Sequence, residues 1–351
     1  MARPNHGASV PDVVAISSER ESVTKWQQQC GIKKGDQIRL VKLAHMRYQH
    51  PDLDQITTFL EDFGMTVAKR TEEQIWYRGY GDDQYVYYAR KGPKEFLGGT
   101  FAVETYQDLE KNFDRAAQLP TAGEIRELSD APGGGSMVTL TDPEGFPVNL
   151  MFGQEAPKKT EFPEKLILNY ETEKPRTRRF QRFQPGPAAV HKLGHFGVCT
   201  QRFDDLVTFY TTNFNIVPTD FLYVEREGQK KNVALFAHID RGGDYVDHHS
   251  FFISTNVTTH VHHCSFEVHD FDTQKLGHQW LSGKKYQSVW GVGRHILGSQ
   301  IFDYWWDTTG NMIEHYADGD LVNDQTPIGY GPAGDESLAV WGPEVPSWFL
   351  K

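Results

Sequence analysis

Two stretches of this chain can be laid on one another, and that internal repeat restricts the folds open to it more than any other feature. Lys42-Leu-Ala-His45 matches Lys192-Leu-Gly-His195, and in each copy a phenylalanine follows fourteen residues later, Phe59 and Phe209. Gly98 to Val103 matches His263 to Val268, and Asp142-Pro-Glu-Gly145 matches Asp307-Thr-Thr-Gly310, which sets Asn149 against Glu314. A repeat of this length means one supersecondary unit used twice. The aligned positions are His45, Gly98 and Asn149 in the first copy and His195, His263 and Glu314 in the second. Only the second copy carries three side chains able to ligate a metal, and twelve of the fifteen histidines lie between His191 and His315.

The elements can be read around that repeat. Ser299 to Tyr316 predicts two short strands joined at Asp307-Thr-Thr-Gly310-Asn311, where Asp can bond its own backbone and Gly accepts positive φ. Strand alternation then puts Met312, Glu314 and Tyr316 on one face and Ile313 and His315 on the other. In the first copy a strand begins at Ile38, a helix capped by Asp52 carries Leu53, Ile56 and Leu60, and strands follow at 74–77, 84–88 and 99–103. A helix over 106–117 and strands at 137–140 and 148–152 complete it. The second copy runs in the same order: a strand over 191–198, a helix carrying Phe203, Leu206, Val207 and Tyr210, and strands near 221–224, 233–236, 250–253 and 261–268. A helix over 270–284 then leads to the hairpin.

The expected division is an extension over 1–38 with a short helix at Val23 to Gln29, a first unit over 39–155, a Pro/Lys/Arg-rich linker over 156–187, a second unit over 188–322, and a tail over 323–351 packed on the surface. No window is long and apolar enough to span a bilayer, and the first residues lack the apolar run of a secretory signal. Cys30, Cys199 and Cys264 form no CxxC pair, which fits a reducing, cytoplasmic setting. With 36 Lys+Arg against 47 Asp+Glu the net charge is -11, which argues against a nucleic-acid partner.

Two neutral imidazoles and a carboxylate on adjacent strands form a facial triad that leaves positions of a divalent metal open, the arrangement of non-haem Fe(II) oxygen chemistry. A carboxylate within an aromatic-rich strand also needs a cation or donor to meet it. Strand phase selects His263 over His262: Cys264, Phe266 and Val268 form the apolar side, leaving His263, Ser265 and Glu267 on the other. The aromatics Phe196, Trp290, Phe302, Trp305 and Trp306 suit either a pocket for a flat ring or ordinary core.

On these residues the chain resembles the vicinal oxygen chelate superfamily, and within it the type I extradiol ring-cleaving dioxygenases, over about residues 40 to 325. The resemblance implies an α+β fold of two tandem domains, each of two βαβββ modules forming an incomplete barrel around a central pocket. It implies that His195, His263 and Glu314 are the metal ligands, the first unit being metal-free. Tyr304, ten residues before Glu314, and His295, nine before Tyr304, resemble by spacing the family's tyrosine and histidine that stand beside the metal ligands. His249 of Asp247-His-His-Ser-Phe251, with His248 adjacent, matches its acid/base histidine. The implied cofactor is Fe(II), with Mn(II) suited to the same donors. The implied substrates are a catechol-type aromatic diol and O2, with no nucleic-acid or membrane partner, in a homo-oligomer. Two other readings stand beside ring cleavage: a glyoxalase-like metal-dependent isomerase or lyase on the same fold, and a protein that binds an aromatic metabolite.

Overall fold

The computed structural model describes residues 19–114, 123–158 and 161–349. A short strand β1 (Arg20–Glu21) and helix α1 (Val23–Gln29) come first. The first copy of the repeat comprises β2 (Leu40–His50), α2 (Leu53–Phe63), β3 (Thr66–Arg70), β4 (Gln74–Arg78) and β5 (Tyr87–Lys91), followed by β6 (Glu95–Val103), α3 (Tyr106–Asp114), β7 (Arg126–Glu127), β8 (Ser136–Thr141) and β9 (Pro147–Phe152). The second comprises β10 (Val190–Thr200), α4 (Phe203–Asn213), β11 (Ile216–Arg226), β12 (Gln229–Ile239), β13 (Val246–Asp247) and β14 (Phe251–Thr255), followed by β15 (His260–Val268), α5 (Phe271–Gly283), β16 (Ser288–His295), β17 (Ile301–Trp306) and β18 (Met312–Ala317). The short strands β19 (Leu321–Val322), β20 (Ile328–Pro332) and β21 (Ala339–Trp341) end the described chain. This is the α+β fold of paired βαβββ modules.

One sheet has the order β3-β4-β5-β2-β6-β9-β8-β7, the other β1-β20-β11-β12-β14-β10-β15-β18-β17-β16-β21. At the centre of each, two modules meet through an antiparallel pair, β2 with β6 and β10 with β15. Their registers correspond: Arg47 pairs Gly98 where Gly197 pairs His263, and Thr100 pairs Asn149 where Ser265 pairs Glu314. The equivalences read from the sequence are therefore equivalences of position in the sheet.

Local chemistry sets the ends of these elements. Asp52 accepts from the amides of Asp54 and Gln55 at the start of α2, and Gly64 closes it in the left-handed region at φ 109°. Asp270 caps α5 through the Thr273 amide. Helix α4 has no cap of its own; Glu144, from the turn between β8 and β9, accepts from the amides of Gln201 and Arg202 at 2.9 and 3.0 Å. In the hairpin, Asp307 Oδ1 accepts from Thr309 and Asn311, and Gly310 sits at φ 78°. The core is continuous across both copies, with Phe196 of β10 packed on Phe96 and Phe101 of β6. Phe101 and Phe196, both fully buried, each contribute about 1.5–3 kcal/mol relative to exposure. Among the described residues, no helix is long and apolar enough to cross a membrane.

Some elements differ from expectation. The strand expected over 84–88 lies at Tyr87–Lys91, because Tyr85 turns in against the His45 ring, 4.3 Å between centroids. Strands β3 and β16 were not expected: β3 is solvent-exposed throughout, and Gly291 and Gly293 interrupt the pattern of β16. The tail does more than cover the surface, since β20 pairs with β11 and β21 with β16. Residues 1–18 of the expected extension and the end of the helix expected over 106–117 lie outside the described residues.

Candidate metal centre

Three neighbouring strands bring the predicted ligands together. His195 of β10 is level with Ser265 of β15, and Ser265 with Glu314 of β18. His263 lies two residues before Ser265 on the same face of β15. Ser265 is fully buried and small, so its place in the row leaves the space into which the larger side chains converge. One ligand atom each from His195, His263 and Glu314 lies within 4.8 Å of the others. The Glu314 carboxylate is fully buried; its Oε2 is 3.1 Å from His195 Nε2 and 3.5 Å from His263 Nε2.

The polar atoms of this cluster have unmet bonding capacity. Neither Glu314 oxygen nor His263 Nε2 has a well-formed hydrogen bond, although all are buried. Burial by itself would raise the Glu314 carboxyl, but the imidazoles of His195, His295 and His263 outweigh it and hold it well below the usual carboxylate range. Burial, reinforced by the neighbouring His262, holds the His263 imidazole well below its ordinary value. A buried carboxylate beside the ring nitrogens of His195 and His263, with both its oxygens and His263 Nε2 short of partners, is the donor set that a divalent cation requires. In the first copy the equivalent Asn149 is satisfied, accepting from Thr139 Oγ1 and donating to the Leu97 and Gly99 carbonyls. With Gly98 in place of the second histidine, that position has no such set.

Hydrogen bonds determine which ring nitrogen of each histidine is available. His262 Nε2–H donates to the Phe349 carbonyl at 3.0 Å, so its Nδ1 accepts from His263 Nδ1–H at 2.7 Å. His263 Nε2 is left with its lone pair facing Glu314. The same device occurs at the other adjacent pair. His248 Nε2–H donates to Asp220 Oδ2 at 2.8 Å, and its Nδ1 accepts from His249 Nδ1–H at 3.1 Å. His249 therefore keeps Nε2 free; its ring lies 4.1 Å from that of His195 and lines the adjoining cavity, whereas His248 turns away. Burial, with the surrounding imidazoles adding to it, holds His249 well below its ordinary value.

Tyr304 of β17 is level with Glu314, and its hydroxyl is 2.9 Å from His295 Nε2. His295 Nδ1–H donates to the Leu338 carbonyl at 2.8 Å, and in that tautomer Nε2 accepts from the Tyr304 hydroxyl. Burial, and then the Glu314 charge, push the Tyr304 phenol well above its ordinary value. The cavity of about 250 Å³ beside these groups is lined by all of the predicted residues except Glu314, which lies behind them. Phe196, Trp290, Phe302 and Trp305 are buried core and do not line it, and Trp306 is half-buried and stacked on Trp348 of the tail; the cavity's aromatic wall is Phe236, Phe252 and Phe349. Leu338 and Phe349 of the tail, which bond His295 and His262, were not foreseen, and no local pattern in the tail marks them.

No protein-family profile matches the chain. Metapyrocatechase 2 of Cupriavidus necator is 27% identical over 323 residues, covering 88% of this chain and 91% of that one. Homoprotocatechuate 2,3-dioxygenase from Arthrobacter globiformis superposes with a TM-score of 0.73 at 19% identity, covering 90% of this chain and 92% of the other. An Mn(II)-bound glyoxalase from Novosphingobium aromaticivorans superposes almost as well, with a TM-score of 0.72 at 17% identity over 90% and 98% of the two chains. The structural likenesses are likenesses of fold, shared by ring-cleaving and glyoxalase chemistries alike; the sequence likeness is to the former. The chain has the vicinal oxygen chelate fold, and over most of its length its sequence is similar to that of a metapyrocatechase.

Proposed function

We propose that the protein is an extradiol dioxygenase that opens a catechol-type ring with dioxygen at a divalent iron held by His195, His263 and Glu314. The observation that carries this reading is the buried, partner-deficient triad beside a cavity that His249 and Tyr304 also line. Mn(II) would find the same donors, and metal analysis decides between the two. When bound, the ion would supply a Lewis acid that makes the diol more acidic and a redox centre for its reaction with dioxygen.

The chain's own groups then divide the proton work. His249, with Nε2 free, accepts a diol proton and later returns it. Asp220 and His248 act through it, fixing its tautomer and stabilising positive charge on its ring. Tyr304 stands beside Glu314 with its hydroxyl oriented by His295, placed to meet a ring oxygen as charge develops there. Because its Nδ1–H is committed to Leu338, His295 can donate from Nε2 only once it has taken up a proton. The cavity wall of Phe236, Phe252 and Phe349 suits a flat ring and keeps water from it.

In this reading residues 188–322 carry the chemistry and 39–155 form the metal-free partner, in keeping with the satisfied Asn149. The three free cysteines fit a reducing, cytoplasmic setting, and homo-oligomeric assembly is open to test by light scattering. Glu314→Ala tests the whole proposal: loss of metal and of oxygen uptake with circular dichroism unchanged supports it. Retention of activity removes the triad from the mechanism. A glyoxalase-type enzyme would turn over without oxygen on a redox-inert metal; this one should not.

A further inference from the structure

The cavity beside the triad continues along the sheet, and strand register shows its shape. On β10, His195, Gly197 and Cys199 share a face. Gly197 is level with Phe252 of β14, and Phe252 with Phe236 of β12. This inner row is full: a Cβ on Gly197 would meet the Phe252 ring at 2.4 Å. In the next row, Cys199 is level with Ser254, Ser254 with Ala234, and Ala234 with Leu222 of β11. Three adjacent small side chains leave a shelf there, and the rise of an extended strand puts it about 13 Å from His195. Leu222, Leu297 and Leu338 close over it, and the whole is one cavity with the unpartnered His263 Nε2 at its other end.

The charge of this space is as informative as its shape. Among the described residues lining it there is no lysine or arginine, and the Cys199 thiol is pushed up to about 12 by burial, so it stays neutral. A carboxylate carried on the ring would lie against Ala234, Leu222 and Leu297 with no cation to meet it, which is costly. An alkyl or aryl group would bury its surface there without that cost.

We propose that the diol this protein cleaves bears an uncharged, extended apolar substituent, alkyl or aryl, which lies over the shelf of Cys199, Ser254 and Ala234. This deepens the ring-cleavage reading and rests on it. The test compares kcat/KM for oxygen uptake by the iron-loaded protein on catechol, 4-butylcatechol, 3-phenylcatechol, 3,4-dihydroxybenzoate and 3,4-dihydroxyphenylacetate. The apolar-substituted diols should exceed both carboxylates by about 100-fold or more. Ala234→Leu, which fills the shelf, should lower kcat/KM for the substituted diols about tenfold more than for catechol. Ala234→Arg should narrow the gap in favour of the carboxylates. Preference of the native protein for a carboxylate, or an equal loss on all diols in Ala234→Leu, overturns the assignment while leaving ring cleavage standing. If no diol draws oxygen, ring cleavage itself fails. Anaerobic calorimetry on the same five compounds then decides the shelf: tighter binding of the apolar diols supports it, tighter binding of the carboxylates overturns it.

Discussion

His262 Nδ1 lies 2.7 Å from His263 Nδ1, and the far nitrogen of His262 is held by the carbonyl of Phe349 at 3.0 Å. This chain of bonds sets the tautomer and orientation of His263, the role that outer partners play for ligating histidines generally. His262→Ala should therefore weaken metal binding about 10- to 100-fold without unfolding the protein. Competition against a chelator of known affinity measures it; unchanged affinity would show that His263 is oriented by packing alone.

Asp220, His248 and His249 repeat the arrangement on the other side of the cavity. His249→Asn should lower kcat about 10²- to 10⁴-fold with metal content intact, as expected for loss of a proton-transferring group. Asp220→Asn should lower kcat less, and KM little, because it acts only through His248. A change confined to KM in either variant would assign these residues to binding instead.

Metal removal should show in stability as well as in activity. A ligand present at a thousand times its dissociation constant stabilises the folded state by about 4 kcal/mol. Thermal unfolding should therefore shift upward with Fe(II) under anaerobic conditions and return on chelation. Glu314→Gln should remove that shift, since the buried carboxylate is the only anion of the triad. A shift of the same size in the variant would place the ion elsewhere.

Asp142 gives a pH dependence remote from the metal. Its Oδ1 accepts from the amides of Glu144 and Phe146, and its Oδ2 from the Tyr210 hydroxyl of α4 at 3.0 Å, so it joins the two copies of the repeat. Burial outweighs these bonds and raises its pKa to about 6, against roughly 3.9 in an unfolded chain. The protonated form is thus favoured by folding. Its contribution is fully present below about pH 4 and is lost as pH rises through about 6, a change of roughly 3 kcal/mol. Asp142→Asn should flatten that part of the stability profile, measured as urea midpoints from pH 4 to 7. An unchanged slope would contradict the assignment.

The triad was legible because two copies of one unit share a register while only one has kept its donors. His195, Ser265 and Glu314 form a single row across three strands, and alternation alone placed His263 on the right face. Asp52 and Asp307 were equally legible, since a capping or turn aspartate acts within a few residues of itself. That His249 rather than His248 faces the cavity was not, because Asp220, which bonds His248, lies on another strand 28 residues away. Phe349 meets His262 across 87 residues, and nothing in the composition of the tail records that contact. Tyr85 misled because its apolar partner is the buried His45 ring rather than a neighbouring strand.

The most direct test of the central claim is oxygen uptake by anaerobically iron-loaded protein mixed with a catechol, followed together with the absorbance of the product. The account predicts one oxygen molecule consumed per diol, a yellow, pH-sensitive ring-opened product carrying both oxygen atoms, and loss of both signals in Glu314→Ala. Catechols that bind the iron-loaded protein yet draw no oxygen would contradict it.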